Sequence, residues 1–371
     1  MRNSPSRLLR RALVGCLALT SLWAPGGLAT AAPAAAEAES LAFTQRYHAL
    51  QHGGIVRAAN SSITCRTAPA RGPKSGRTSR ASSCTAARAG KAAANNDFDM
   101  FYIDVDKDRN TYNSSRGEVR LPKGARVTYA RLYWGGNLRV GEQKPPKDNA
   151  RVLVAEPGGA YKAVRADTVV GHRVARGADA FQASADVTGL VRASGSGLYT
   201  VAQVNVAMGR SAAGAWGGWT LMVAYERESE PLRHLAMWDG FAPLGPGADQ
   251  VIGVRGLPLG RGARGRAGLV AYNGDAGRDG DSLMVSTGRG ATALSNAANP
   301  ADDVLNSTIS EPGPAAAKRT PAYRNTLGYD SDVFDLGTAL RRGGDHLAFR
   351  LVAQRDAAWA GALFVAVDAK Q

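Results

Sequence analysis

Oxygen-bearing side chains crowd together at Asp104, Asp106, Asp108 and Asn110. Carboxylates at i, i+2 and i+4 with an amide at i+6 bring hard oxygens around one point, which is the donor set calcium loops require. The spacing departs from an EF-hand, because Arg109 stands where the turn glycine belongs and Ser115 where the bidentate glutamate belongs. The expectation is a Ca2+ ligand set, with an Asx-rich turn neutralised by Arg109 and Arg116 as its alternative. Two further acidic stretches are weaker on their own. One holds Asp275, Asp279 and Asp281 among glycines, and the other Asp330, Asp332 and Asp335 after Tyr329.

Aromatic rings are the second binding device. Trp134 precedes Gly135-Gly136, Trp216 and Trp219 flank Gly217-Gly218, and Trp238 precedes Asp239-Gly240-Phe241. An exposed indole stacks on sugar rings, whereas a Trp beside two glycines in a strand usually packs into a core at a bulge. Trp134 and Trp219 read as core, and Trp216 as the exposed ligand-binding ring.

Motifs for covalent chemistry fail on inspection. Gly280-Asp281-Ser282-Leu283 spells the block of GDSL esterases, whose serine needs a base from a later Asp-x-x-His. None of His48, His52, His172, His234 and His346 has an aspartate three residues before it. There is no Gly-x-Ser-x-Gly elbow, no His-Glu-x-x-His, no phosphate loop and no Cys/His zinc spacing. The chain reads as a non-enzyme.

Compartment follows from the first 31 residues. Arg2, Arg7, Arg10 and Arg11 precede an apolar run over 12–23, and Ala29-Thr30-Ala31 offers small residues for cleavage. That is a secretory leader, with the Sec or twin-arginine route left open by Arg10-Arg11. No later stretch is apolar enough to span a membrane. Removing the leader's 4 arginines takes the formal charge from +15 to +11. Eight of those positives lie between Arg57 and Lys91, a stretch without Asp or Glu, so the rest of the chain is only mildly basic. No aromatic residue is interleaved there, which argues against nucleic acid as partner. Within this stretch, Cys65 and Cys84 remain as the cysteines of an exported chain, and an oxidising compartment makes them a disulfide.

These residues must be positioned by strands. Of 371 residues, 44 are Gly and 17 Pro, which favours many short extended segments with tight turns. Period-two runs recur at 126–134, 151–155, 198–206, 219–225, 232–238, 267–272, 346–352 and 362–367. Helical signal is confined to 185–193, with Asp186 as cap, and 295–299. The fold class is all-β: an antiparallel β-sandwich of jelly-roll or Greek-key type, as one extended domain or two packed halves. The organisation is leader 1–31, an N-terminal segment 32–94 carrying the basic disulfide-bounded loop, and a sandwich body 95–371 divided, if at all, near residue 230.

Particular runs also carry a resemblance. Asn95-Asn96-Asp97, the 104–113 acidic turn with Asn113-Ser114-Ser115, and Leu132-Tyr133-Trp134-Gly135-Gly136 resemble a module at the N-terminus of exported actinobacterial surface proteins of the conserved-repeat adhesin type. Gly217-Gly218-Trp219, Asn306-Ser307-Thr308-Ile309 and Leu327-Gly328-Tyr329-Asp330 extend the likeness over nearly the whole chain. The resemblance implies an all-β extracellular module without an assigned activity. The chain lacks the downstream repeats and wall anchor of that family. The expected function is a secreted, non-catalytic protein that binds a cell-wall polymer, a glycan or a surface protein at the envelope or extracellular matrix. The alternative is a secreted polysaccharide hydrolase using the Asp-rich loops.

Overall fold

Alternation with both side-chain sets apolar makes a strand that is covered on its two faces. The strand Gly217–Glu226 shows it: Trp219, Leu221 and Val223 enter one core, while Met222 and Ala224 enter another. The computed structural model describes residues 37–38, 41–66, 83–106, 108–175, 177–313, 317–355 and 357–370. The leader, and the part of the basic loop between Arg66 and Ser83, lie outside the described residues. What is described belongs to one unit, Ala34–Gln371.

Strands are numbered along the chain. Among the described residues the largest sheet has ten strands. In spatial order its first half runs β1 (Glu37–Ala38), β9 (Thr168–Ala175), β10 (Ala178–Asp186), β6 (Arg126–Asn137) and β12 (Gly217–Glu226). The order continues through β2 (Leu41–Ser61), β13 (Leu232–Pro243), β21 (Trp359–Asp368), β15 (Gly265–Tyr272) and β19 (Tyr329–Asp335). A five-stranded sheet is ordered β18 (Arg319–Thr320), β5 (Ser114–Val119), β11 (Gly197–Ala202), β7 (Arg151–Ala155) and β8 (Lys162–Arg165). A four-stranded sheet is ordered β14 (Gln250–Leu259), β20 (Gly344–Ala353), β16 (Asp281–Ser286) and β17 (Ala291–Ala293). The short pair β3 (Ile63–Cys65) and β4 (Met100–Tyr102) completes the set. Pairing is antiparallel throughout, except that β1 lies parallel to β9.

The architecture is all-β, with sandwiches packed against each other. The five-stranded sheet covers one half of the large sheet, burying Val152, Tyr199 and Val201 with Trp134 and Trp219. The four-stranded sheet covers the other half, burying Leu283, Leu347 and Phe349 with Leu363 and Val365. A third core lies between the two halves. It holds Tyr133, Trp216 and Met222 together with Phe241, Tyr272, Trp359 and Phe364. Phe241 stacks on Trp359 with centroids 4.9 Å apart.

β2 joins the halves. Its residues 53–61 pair with β12 in the first, and its residues 41–52 pair with β13 in the second. The change of partner falls at Gly53, whose φ of +142° is a region L side chains avoid. Sequence reasoning placed 41–61 in a segment apart from the body, yet this strand is central to it. Polar residues and Gly53-Gly54 interrupt its alternation, and the bulge at Met237/Trp238 of β13 shifts its register.

Other boundaries also differ from expectation. The run 198–206 ends as a strand at Ala202, because Gln203 turns to φ +59°. Within residues 98–105 the strand is short, β4 alone (Met100–Tyr102). The helix expected over 185–193 starts later, as α2 (Thr188–Ser194), with the Asp186 carboxylate accepting from the Thr188 N–H at 2.8 Å. Residues 295–299 are not helical; the Asn296 side chain accepts from the Ala298 and Asn299 N–H groups and closes a turn instead. Among the described residues the remaining α-helices are α1 (Cys84–Arg88) and α3 (Gly337–Leu340), and two single 3-10 turns lie at Asn95–Asp97 and Pro146–Asp148.

Candidate functional site

The disulfide forms, with the Cα atoms of Cys65 and Cys84 5.7 Å apart. It ties α1 to β3, and Arg88 reinforces the tie through Nε to the Thr64 hydroxyl at 3.1 Å. The Arg324 N–H then donates to the Arg88 carbonyl at 2.9 Å, and Asn325 Nδ2 to the Ala93 carbonyl at 3.3 Å. The Arg88 guanidinium also lies over the Tyr323 ring. One staple therefore sets the position of the 319–325 segment. Of the basic residues assigned to the loop, Arg57 is buried in β2 and donates to the Ser310 carbonyl at 2.7 Å.

Opposite this wall runs the segment 303–310. It flanks β19, whose Ser331 and Val333 N–H groups donate to the Thr308 and Ser310 carbonyls. Between the two walls lies a cleft of about 630 Å³. Arg319, Asp303, Asn306, Thr308 and Ser310 are among its polar lining, with Arg324 and Asn325 beside Arg319, and Ala298 and Ile309 are among the apolar part.

Unused hydrogen-bonding capacity meets in this cleft. Arg319 Nη2 donates to the Tyr323 carbonyl at 2.7 Å, while its buried Nη1 has no partner among the described residues. Burial, with Arg57 close by, pulls this guanidinium down to about 10. Asp303 Oδ2 accepts from the Gly277 N–H at 2.9 Å, and Oδ1 has no hydrogen-bond partner among the described residues. Burial raises its carboxyl pKa. Asn306 Nδ2 donates to the Ala298 carbonyl at 2.8 Å, and its Oδ1 likewise has none. Leaving such groups bare costs about 1–3 kcal/mol each. A ligand with both donors and acceptors removes that cost.

Behind the cleft, Asp330 and Asp332 project from the same face of β19, and both are fully buried. Asp332 Oδ1 accepts from the Ser310 hydroxyl at 2.7 Å, the Ser310 N–H at 2.9 Å and the Thr308 hydroxyl at 3.0 Å. Burial nevertheless raises its carboxyl to about 6. Asp330 is raised further, by burial and then by the neighbouring Asp332. The backbone supporting this region is strained, with Asn273, Ser307 and Leu327 all near φ +60°.

The expected calcium residues lie elsewhere, and the loop's own donors engage them. Asp104 Oδ1 accepts from the Ser114 hydroxyl at 2.8 Å, and Asp106 Oδ1 from the Asp108 N–H at 2.9 Å and the Thr111 hydroxyl at 3.1 Å. Asp108 Oδ1 accepts from the Asn110 N–H and Nδ2, both at 2.9 Å. Tyr161 donates to the second oxygen of Asp106. Burial opposes ionisation of Asp106, but these donors outweigh it and lower the carboxyl pKa. Among the described residues no three His, Cys, Asp or Glu side chains are placed to hold a metal ion.

Trp216 corrects an expectation. It is fully buried in the middle core, 5.9 Å from the Tyr272 ring, and is no exposed platform for sugar. The close pairing of Gly217-Gly218 with Gly136-Gly135 lets the indole turn inward between the layers. Trp134 and Trp219 are core, as their glycine neighbours suggested. Arg319, Asp303 and Asn306 are not picked out by the sequence, since only folding brings the two segments that carry them together. The run Asn306-Ser307-Thr308-Ile309 was the available signal.

No family model and no curated protein sequence matches the chain. Two solved structures show a distant likeness. One, described as the atomic structure of Sulfolobus Turreted Icosahedral Virus, is 12% identical over 68% of this chain and 86% of the other, with a TM-score of 0.22. The other is PNGase F, a glycosylasparaginase from Flavobacterium meningosepticum, 14% identical over 72% and 95%, with a TM-score of 0.17. Among the described residues no helix is long and apolar enough to cross a membrane. The disulfide is compatible with an extracellular location.

Proposed function

We propose that this chain is a secreted, non-catalytic sandwich protein of the actinobacterial adhesin-like type, which binds a polymer, glycan or surface protein at the cell envelope or extracellular matrix. The observation that carries the reading is the 630 Å³ cleft, where Nη1 of half-buried Arg319 and oxygens of buried Asp303 and Asn306 keep bonding capacity unused. A guanidinium on one wall and carboxyl and amide oxygens on the other suit a hydroxyl- or amide-rich segment, and the alanines and Pro300 suit its apolar parts.

The test is retention of the full chain on isolated envelope polymers, a glycan array and surface-protein extracts. Arg319→Leu and Asp303→Asn should weaken capture roughly tenfold each, the loss of one charge-assisted hydrogen bond. Wild-type protein that binds none of these materials sinks the reading. One observation favours the hydrolase reading: Asp303 is a cleft carboxyl raised by burial, as a general acid must be. Glycan turnover that disappears in Asp303→Asn would establish it.

A further inference from the structure

A second cleft, of about 360 Å³, opens at the far end of the four-stranded sheet. Arg289, Arg341 and Arg342 line it together with the hydroxyl-bearing Thr287, Thr292 and Thr338, and no carboxylate is in its lining. Arg289 comes from the turn between β16 and β17; Arg341 and Arg342 follow α3. Both turns are pinned. The Thr287 N–H donates to the Gly290 carbonyl, the Gly343 N–H to the Leu340 carbonyl at 2.9 Å, and Leu340 is buried in the second core. The 260–262 turn joins them through the Gly262 N–H, which donates to the Arg341 carbonyl and adds Arg261 to the same end.

None of the three lining arginines forms an ion pair with a described residue. Arg289 acts electrostatically on Asp345, whose largely exposed carboxylate is engaged by His346 Nδ1 at 2.8 Å. Arg289, Arg341 and Arg342 are exposed, and three like charges brought around one hollow by fixed turns raise a local positive potential that attracts an anion. Guanidinium forks match the paired oxygens of tetrahedral oxyanions, and the threonine hydroxyls add donors. We infer that this basic cleft is a binding site for a phosphate or sulfate ester carried on a polymer. It is separate from the Arg319 cleft, so either site can fail without the other.

The experiment titrates the full, disulfide-intact chain with polyphosphate, with dextran sulfate and with hyaluronate, whose charges are carboxylates, over a series of salt concentrations. Polyphosphate or dextran sulfate should bind, and the tighter of the two identifies the source of the ester. The triple variant Arg289→Ala, Arg341→Ala, Arg342→Ala should lose at least about tenfold in affinity, and its salt slope should fall by about one per arginine removed. A control variant, Arg139→Ala, Arg151→Ala, Arg165→Ala, removes the same charge from exposed positions elsewhere and should stay within about twofold of wild type. Equal losses in the two variants would reduce the effect to net charge and overturn the assignment. So would unchanged binding by a folded triple variant, or hyaluronate binding as tightly as the esters.

Discussion

Arg131 of β6 and Asp239 of β13 face each other across the middle core, Nε to Oδ2 at 3.4 Å, with side chains only 4% and 1% exposed. Arg46 of β2 reaches the other oxygen of Asp239 at 2.5 Å. One carboxylate thus gathers guanidinium groups from strands of both halves. Burial raises the Asp239 pKa while Arg46 and Arg131 pull it back. Removing it leaves Arg46 without its carboxylate, while Arg131 keeps only the Asp167 side of its pairing. Asp239→Ala should destabilise by about 3 kcal/mol, as expected when one partner of a buried pair is removed. Urea unfolding measures this, and a change under about 1 kcal/mol would show that solvent reaches the site.

Gly53 lets β2 change partners between the halves. A Cβ there would stand 2.0 Å from the Tyr225 carbonyl oxygen, on a backbone at φ +142°. Gly53→Ala must therefore move β2 away from β12 or twist the hinge. Either route should cost about 3 kcal/mol or more, on the scale of severe overpacking combined with backbone strain. Thermal melts of this variant should show a large drop, whereas Gly124→Ala, at φ +80° in open space, should show a small one.

The strand content and the burial of Trp134 and Trp219 were legible because covered strands alternate between two apolar sets, as in β12 and β21. β2 was not legible, since its pattern is broken where it changes partner from β13 to β12, and β10 is built on small alanines that carry little periodic signal. The candidate cleft was harder still. Arg319 and Asp303 are only 16 residues apart in the chain, but nothing in the sequence shows that the segment between them folds back on itself, and neither stands in a motif. What brings them together is the Cys65–Cys84 staple acting through α1 and the 303–310 segment running beside β19. The pairing of the cysteines was legible from compartment alone, but its role in building a wall of the cleft needed coordinates.

That staple makes a direct prediction. Closing an 18-residue loop should contribute about 3 kcal/mol in the chain-entropy model. Reduction, or the Cys65→Ser, Cys84→Ser pair, should lower stability by that amount. It should also weaken envelope binding more than the loss of folded protein explains, since α1 loses its tie to β3. Comparing bound fraction with folded fraction under reducing conditions separates the two effects.

The Asp104–Asn110 turn should be stable without metal. Its donors already engage Asp106, so Asp106→Ala should cost about 1–2 kcal/mol, the value of the hydrogen bonds lost, and should do so equally with chelator present. A melting temperature of the wild type that rises with millimolar Ca2+ would instead establish the loop as a cation site.

The buried acids fix the sign of the pH dependence. Asp332 is held near 6 against about 3.9 in an unfolded chain, and Asp330, Asp303 and Asp239 are raised as well. A raised carboxyl binds its proton more tightly in the folded state. Its contribution is therefore complete below about pH 4 and is lost as the pH climbs through the folded value near 6. Asp106, Glu142, Glu156 and Asp167 are lowered, so their contribution is present above about pH 4 and disappears only as the pH falls below it. The two sets together place maximum stability on the acid side of neutrality, at about pH 4. Melting temperatures taken from pH 4 to 8 should begin to fall between about pH 4 and 6, where an unfolded chain has released the Asp332 proton and the folded one still holds it. In Asp332→Asn the fall should be shallower. A wild-type profile that is flat or rising from pH 5 to 8 would mean these carboxyls are charged and compensated in the folded protein.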